Sequence, residues 1–204
     1  MANTVVSELH DAWVRHGRSP RHLGFWAVAT YRLGHEALGL KNPVLRKAAS
    51  AAYGVCSFLV DVSSGIELNR EARIGADVHL VHGWNIKIHP DSVVGARVGI
   101  MHDVTLGTNM DRAGAPVIDD DVFIGAGARI LGGVHIGRGA HIAANSLVIT
   151  DVPPGATAIG VPARVMRYTG RPPAERRQGQ RRQQVTPVDD DRRHGIDRRH
   201  PTHG

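Results

Sequence analysis

A six-residue spacing of aliphatic side chains constrains the fold of this chain more than any other feature. An amphipathic helix repeats near 3.6 residues and a half-buried strand repeats every two, so neither needs a strict six. A hexapeptide β-helix does need it, because each six residues form one short flat face whose aliphatic residue points inward. The spacing therefore predicts a three-sided solenoid. Its longest run is Ile118, Ile124, Ile130, Ile136, Ile142 and Val148.

The same spacing occurs twice more, upstream of the long run. One ladder is Leu68, Ile74, Leu80 and Ile86, and a second, offset by two residues, is Ile88, Val94, Ile100 and Leu106. Three faces of six residues give about eighteen residues per coil, so roughly five coils fit between residues 66 and 167. The expected stacking places Ile118 beneath Ile136, Ile124 beneath Ile142, and Ile130 beneath Val148.

Two interruptions break the ladder. The register slips by two residues between Ile86 and Ile88, and the segment 107–117 reads as a polar, glycine-containing loop. Loops that leave a rigid scaffold commonly carry function. We therefore expect both interruptions to lie near the functional site.

Residues 1–65 have helical rather than six-residue periodicity. Ser19-Pro20 is a typical N-cap and first-turn pair for a helix that reaches Leu38, and Asn42-Pro43 begins another through Leu59. A shorter helix is expected from Thr4 to His16. The predicted fold class is mainly β: a left-handed parallel β-helix over residues 66–167, preceded by a small α-helical region.

The composition limits the kind of core, the compartment and the partners that we expect for the chain. Aromatic residues make up only 4%, which suits a narrow interior of stacked aliphatic side chains. The single cysteine, Cys56, excludes an internal disulfide and fits a reducing cytoplasm. Neither a signal peptide nor an apolar run of membrane-spanning length occurs, so we expect a cytoplasmic protein without a membrane partner.

The basic character of the chain belongs to its last segment. Residues 171–204 contain nine arginines and five acidic residues, which accounts for four of the net charge of +6. Their composition lacks the aliphatic residues that would offset the entropy of ordering, so residues 168–204 are expected to be a disordered tail. We interpret this tail as a solvated appendage rather than as a nucleic-acid contact.

Three passages of the chain resemble the hexapeptide-repeat acyltransferases, and specifically the serine acetyltransferases. They are residues 74–107, which end in VTLG; residues 124–148, IGAGARILGGVHIGRGAHIAANSLV; and residues 151–165, DVPPGATAIGVPARV. Weaker similarity covers GFWAVATYRLGH at residues 24–35. The resemblance implies an O-acetyltransferase that uses acetyl-CoA as co-substrate, with no metal, and it also implies a homotrimer.

The resemblance assigns the catalytic base to His82 and a carboxylate helper to Glu67, fifteen residues earlier. A base is needed because a hydroxyl ionises far above pH 7, whereas an imidazole is largely neutral there and accepts a proton. Glu67 would hold the imidazole tautomer and stabilise the imidazolium. The alternative for Glu67 is a solvated carboxylate at the mouth of the solenoid.

The family binds acetyl-CoA mostly through backbone groups of the outer coils, which favours small residues there. The matching positions are Gly107, Thr108, Gly125, Ala126, His141, Ala143 and Arg164. For most of the glycine and alanine positions, plain coil-corner geometry is an equal alternative. His79, His89 and His102, with Asp103 beside His102, are the candidates for a metal site; we interpret two or three of these histidines as solvent-facing turn residues instead.

Departures from the family pattern concern the acceptor. Val81 replaces an aspartate before the base, Trp84 follows the base, and Ala115 stands where a histidine belongs. Trp84 and Arg112 are the candidate substrate-binding residues. The leading acceptor is L-serine, as in cysteine biosynthesis; a sugar or exopolysaccharide precursor is the alternative, and a non-catalytic trimeric scaffold is an alternative of another class.

Overall fold

The computed structural model describes residues 2–166, with side chains from residue 6 onward. Three helices come first: α1 (Ala2–Arg15), α2 (Leu23–Leu38) and α3 (Pro43–Ser64). Short strands follow: β1 (Glu67–Leu68), β2 (Arg73–Ile74), β3 (His79–Val81), β4 (Lys87–Ile88), β5 (Val93–Val94), β6 (Gly99–Met101), β7 (Thr105–Gly107), β8 (Val117–Ile118), β9 (Phe123–Ile124), β10 (Arg129–Leu131), β11 (His135–Ile136), β12 (His141–Ile142), β13 (Leu147–Val148), β14 (Thr157–Gly160) and β15 (Ala163–Met166).

The strands form three sheets, one for each side of the solenoid. Sheet I has the order β1-β4-β7-β10-β13, sheet II has β2-β5-β8-β11, and sheet III runs β3-β6-β9-β12-β14-β15. All neighbours are parallel except β14 and β15, as a coiled chain requires. The expected stacking is confirmed by the register: Ile118 pairs with Ile136, Ile124 with Ile142, and Ile130 with Val148.

The aliphatic ladder forms the core. From Leu68 to Val148 every rung is buried, and the strands alternate an outward residue with an inward one. The small or β-branched residues four positions after the rungs are buried as well, because they fill the corners where the chain turns between sheets. Each buried aliphatic side chain contributes about 1.5–3 kcal/mol. The stack of rungs therefore provides most of the solenoid's stability.

The position expected for the two-residue slip was wrong. Ile86 and Ile88 are both buried, and Leu68 pairs with Ile88 across sheet I. The extra residues lie earlier, in the turn that joins β3 to β4 at residues 82–85. Periodicity misplaced them because Ile86 fills a corner and is as apolar as a rung.

Left-handed residues stack in a column at the corner between sheets III and I, which we call the III–I corner. A positive φ recurs in every coil there, and each member after Gly65 donates its backbone N–H to a carbonyl of the preceding coil, for example Asn145 to the carbonyl of Ala126. Glycine, asparagine and aspartate tolerate this conformation best. The column consists of Gly65, Asn85, Asp103, Gly127 and Asn145.

The helices cover the open end of the first coil. Its backbone groups have no preceding strand to pair with, and an uncovered strand edge invites aggregation. Polar side chains from the helices bind these groups instead. The Tyr31 hydroxyl donates to the carbonyl of Ala72 and accepts from the N–H of Ile74, and Arg32 donates to the carbonyl of Ile74.

Two expectations about helix starts had different outcomes. The Asn42-Pro43 start is confirmed: the Asn42 side chain accepts hydrogen bonds from the N–H groups of Val44 and Leu45. The Ser19-Pro20 start was wrong, because α2 begins at Leu23. The carbonyl of Pro20 instead accepts a hydrogen bond from the indole of Trp26, which holds this segment in a turn.

At the other end, β15 folds back antiparallel on β14 and closes sheet III. The predicted tail, residues 168–204, lies outside the described residues. Among the residues that are described, none of the helices is long and apolar enough to cross a membrane.

Candidate active site

His82 lies in the longest turn of the III–I corner. Eight residues separate Leu80 from Ile88 across this turn, whereas six separate Ile100 from Leu106 in the next coil. His82 adopts a left-handed conformation, with φ of 52°, and its side chain is exposed. Strained conformations of this kind persist where the surroundings enforce them, and they are common at functional sites. The two extra residues therefore present an imidazole outside the regular coil.

Backbone hydrogen bonds hold this turn between its neighbours. The N–H of Asn85 donates to the carbonyl of Ser64 at 2.8 Å, and the carbonyl of Trp84 accepts from the N–H of Asp103 at 2.9 Å. The Asn85 amide also donates to the carboxylate of Asp103. The turn thus has fixed partners both before and after it, although it departs from the repeat.

A glycine pair brings the turn against α2. A Cβ built on Gly83 would lie 2.9 Å from the Cα and 3.0 Å from the N of Gly24, and 3.1 Å from Cδ1 of Ile66. Real Cβ atoms almost never approach other atoms so closely, so only glycine fits at residue 83 without a shift. The start of α2 therefore sets the position of the His82 turn from beneath.

His102 is a site residue that the sequence interpretation missed. It occupies the III–I corner one coil after His82, because Val81 pairs with Met101. The two ring centroids are 6.4 Å apart, with the planes at 65°. Unlike the solvent-facing residue expected, His102 is partly buried, and its Nδ1 is a buried atom without a hydrogen-bond partner. Only its position one coil from His82 could have drawn attention to it in the sequence.

Glu67 binds a lysine rather than the imidazole. The register of sheet I places Glu67 beside Lys87, whose Nζ lies 3.0 Å from the Glu67 carboxylate and 3.1 Å from that of Asp61. Burial alone lowers the pKa of Lys87, but the hydrogen bonds that its ammonium donates to Glu67 and Asp61 outweigh burial and raise the pKa above its usual value. The Glu67 side chain is 61% exposed, so this pair is weak. Among the described residues, no hydrogen bond joins Glu67 to His82.

Three of the positions predicted to bind acetyl-CoA lie at the III–I corner in the coils after His102. Residues 125 and 126 follow β9 at the III–I corner, and Ala143 follows β12. A Cβ on Gly125 would lie 2.6 Å from the N of Ala144, so close packing between coils requires glycine there. The side chains at Ala126 and Ala143 are small, and the same corner carries His82 and His102 in the preceding coils.

The other candidate residues lie on different edges of the solenoid. Gly107 ends β7 and Thr108 follows it at the opposite edge of sheet I, where the loop to β8 begins. In that loop the Arg112 guanidinium binds the Asp151 carboxylate at 2.9 Å. The N–H of His135 and the Arg112 side chain lower the pKa of Asp151. Within one chain, Arg112 therefore does not face His82.

His141 and Arg164 lie on sheet III. His141 stacks on Phe123 with centroids 4.9 Å apart and planes at 15°, and burial lowers the pKa of its imidazole. A neutral ring stacked in this way differs from the lysine that the family commonly has there. Arg164 is exposed on β15, opposite Ile159.

The remaining histidines have structural roles. His79 points toward α1, where its ring meets that of His16 at 5.1 Å, and burial lowers the pKa of both imidazoles. His79 is thus neither in a turn nor freely exposed, contrary to the expectation. The His89 Nδ1 accepts the N–H of Asp91. Over residues 2–166, no group of three or more potential ligand side chains is arranged to hold a metal ion.

Comparison with known proteins identifies relatives of one kind. Residues 115–150 match the family model described as bacterial transferase hexapeptide (six repeats). The serine acetyltransferase of Salmonella typhimurium is 38% identical over 151 residues, which cover 72% of this chain and 52% of that protein. The chain thus spans about half the length of the curated relatives it matches.

Solved structures give the same result. A serine acetyltransferase in complex with CoA superposes with a TM-score of 0.66 at 30% identity, covering 80% of this chain and 70% of that one. Soybean serine acetyltransferase complexed with serine gives 0.64 at 32% identity, covering 79% and 68%. Both likenesses extend into the helical region, because residues 66–204 make up only about two thirds of the chain. The chain therefore belongs to the hexapeptide-repeat acyltransferases, and within them to the serine acetyltransferase type.

Proposed function

We propose that this protein is an acetyl-CoA-dependent O-acetyltransferase that transfers the acetyl group to the hydroxyl of L-serine. The observation that carries the proposal is the His82 turn, which presents an exposed imidazole on the same corner as the small residues Gly125, Ala126 and Ala143. A relative solved with CoA and another solved with serine add support.

The reaction needs a base, a route for the thioester and stabilisation of negative charge. His82 removes the proton of the acceptor hydroxyl as its oxygen attacks the thioester carbonyl. The tetrahedral oxyanion is stabilised by a backbone N–H along the III–I corner. When the carbonyl re-forms, the C–S bond breaks, and the CoA thiolate takes the proton from His82. Residues at Gly125, Ala126 and Ala143 leave room for the pantetheine arm.

Glu67 is proposed as the carboxylate that supports the base, and Lys87 competes with the His82 imidazole for this carboxylate. The ion pair to Lys87 is largely exposed, so exchanging it for the His82 imidazole costs little free energy. A rearrangement of the Glu67 side chain would then place a carboxylate behind the protonated base. Replacing Glu67 by Gln tests this role, because it removes the charge and retains the size of the side chain.

A sugar acceptor is the second candidate. Trp84, two residues after His82, is 55% exposed and has a free aromatic face for a sugar ring. Arg112, which would otherwise bind the serine carboxylate, is already engaged by Asp151. These two observations support a polyol as the second candidate, whereas the relative solved with serine supports the first.

We further propose a cytoplasmic homotrimer, with each site completed by a neighbouring copy. The donor-binding positions are divided between the two edges of sheet I, and one chain cannot bring Gly107 and Ala126 to the same ligand face. On the outer side of α3, Val55, Leu59 and Val62 are each more than half exposed. Sedimentation should give a trimer, and a fully active monomer would contradict this proposal.

The central experiment measures the release of CoA thiol with L-serine, homoserine and a panel of sugars. Saturable transfer to serine is expected, and transfer to sugars alone would assign the second candidate. His82→Ala should lower kcat by about 10²–10⁴, whereas the control His89→Ala, at another corner, should leave it unchanged. A folded His82→Ala variant with normal turnover would refute the assignment of His82 as the base. A wild-type chain that transfers acetyl to no acceptor would favour the non-catalytic scaffold.

A further inference from the structure

The reaction as described above gives His102 no role, yet His102 is a second imidazole at the same corner as His82. Both imidazoles occupy the III–I corner in consecutive coils. Their centroids are 6.4 Å apart with the planes at 65°, an edge-to-face arrangement and not a parallel stack. Two hydrogen bonds of about 2.8 Å that share one oxygen join ring nitrogens up to about 5.6 Å apart, which this centroid distance allows. The space between the rings therefore suits a single hydroxyl.

The burial of one nitrogen identifies the donor of such a bond. His102 Nδ1 is buried and has no partner. A buried N–H without an acceptor is rarer and more costly than a buried lone pair without a donor. The neutral ring consequently carries its proton on Nε2. That nitrogen is a hydrogen-bond donor, and it is the only polar atom of the ring left for a ligand.

The place of His102 along the corner separates it from the donor site. It lies between the His82 turn and Ala126, because the N–H of Gly127 donates to the His102 carbonyl at 3.0 Å. With the thioester along Ala126 and Ala143, as proposed above, an acceptor hydroxyl beside His82 attacks it next to His102. The position of His102 thus places it near the acceptor oxygen rather than at the nucleotide end of CoA.

We propose that His102 is an acceptor-binding residue, whose Nε2–H donates a hydrogen bond to the acceptor hydroxyl and holds that oxygen against His82. The proposal rests on the acetyltransferase function proposed above. His82 accepts the hydroxyl proton, while His102 keeps its own proton and directs a lone pair of the oxygen at the acetyl carbon. No other bond changes are required of His102, since it neither gains nor loses a proton in the step.

The test compares His102→Leu with His102→Gln in the full-length chain. His102→Leu should lower kcat/KM for the acceptor about tenfold, the effect of one neutral hydrogen bond, and leave KM for acetyl-CoA within twofold. His102→Gln retains an N–H donor and should recover activity to within threefold of wild type. The control His89→Leu removes an imidazole from another corner and should change neither parameter.

Stability distinguishes this role from a structural one. His102→Leu removes a buried nitrogen that has no partner, so its unfolding midpoint should equal or exceed that of wild type. A value of kcat/KM for the acceptor within twofold of wild type overturns the proposal, as does a loss seen only in KM for acetyl-CoA. If the wild-type enzyme transfers acetyl to nothing, the acetyltransferase function fails, and this inference fails with it.

Discussion

The contact between Gly83 and Gly24 leads to a sharp prediction for Gly83→Ala. The new Cβ would lie 2.9 Å from the Cα of Gly24, and the obstructing atoms belong to the backbone of α2 rather than to a flexible side chain. An ordinary contact begins near 3.4 Å, so the turn or the helix must move by about half an ångström. Alanine also lowers the conformational entropy of the unfolded chain, and this effect alone would stabilise the protein by about 0.4–1 kcal/mol. Overpacking costs about 1–3 kcal/mol, and it should prevail.

The effect on catalysis follows from the same displacement. Because a shift of about 1 Å in a reacting group can cost 10²-fold, half that shift should lower kcat by about tenfold. The assay pairs kcat from CoA release with the unfolding midpoint in urea. Gly54→Ala is the matched control: it lies within α3 with nothing within 4 Å of its Cβ, so it should stabilise by about 1 kcal/mol and leave kcat unchanged. Wild-type turnover and stability in Gly83→Ala would refute the reasoning.

Two further predictions concern stability. Ile130→Ala removes most of a side chain that has 0% exposure at the centre of the stack, so it should lower the free energy of unfolding by about 2–5 kcal/mol in urea titrations. The control Ile149→Ala, at the surface, should cost less than about 1 kcal/mol. Equal losses would contradict the ladder as the source of stability. His16 accepts the N–H of Leu80 on Nε2, and its pKa is lowered mainly by burial, so the unfolded chain binds the proton more tightly. The urea midpoint should therefore fall as the pH drops from 7.5 to 5.5, and His16→Gln should reduce that fall; an unchanged slope would mean that His16 is not responsible.

Periodicity predicted the solenoid because its physical cause is local. Each rung must be aliphatic wherever it sits, so Ile118, Ile124 and Ile130 reveal their spacing without knowledge of any partner. The stacking of these residues on the next coil followed from the same spacing and was confirmed. Capping by Asn42 is also local, since a side chain binds N–H groups two and three residues away.

What the sequence could not predict depends on coil length and on distant contacts. The extra residues of the His82 turn were misplaced because Ile86 is as apolar in a corner as on a rung. That coil is two residues longer than the next, and the true register is what sets Lys87 beside Glu67. The start of α2 at Leu23 depends on a hydrogen bond from the Trp26 indole to the Pro20 carbonyl, which helix propensities do not include. The unpartnered nitrogen of His102 is visible only once its surroundings are assembled.

The column of parallel pairings has a consequence for how the chain folds. Each strand from β1 to β10 pairs with one that follows after 18 to 24 residues, as Ile130 in β10 pairs with Val148 and, in the preceding coil, with Leu106. The contacts between coils join residues at short and similar sequence separations, so the entropy of loop closure is nearly the same at every step. Assembly can then proceed coil by coil from a nucleus, as in other linear repeats. Because α1 and α2 cover one end, amide exchange should be slowest near that cover and in the middle coils, and fastest at β14 and β15.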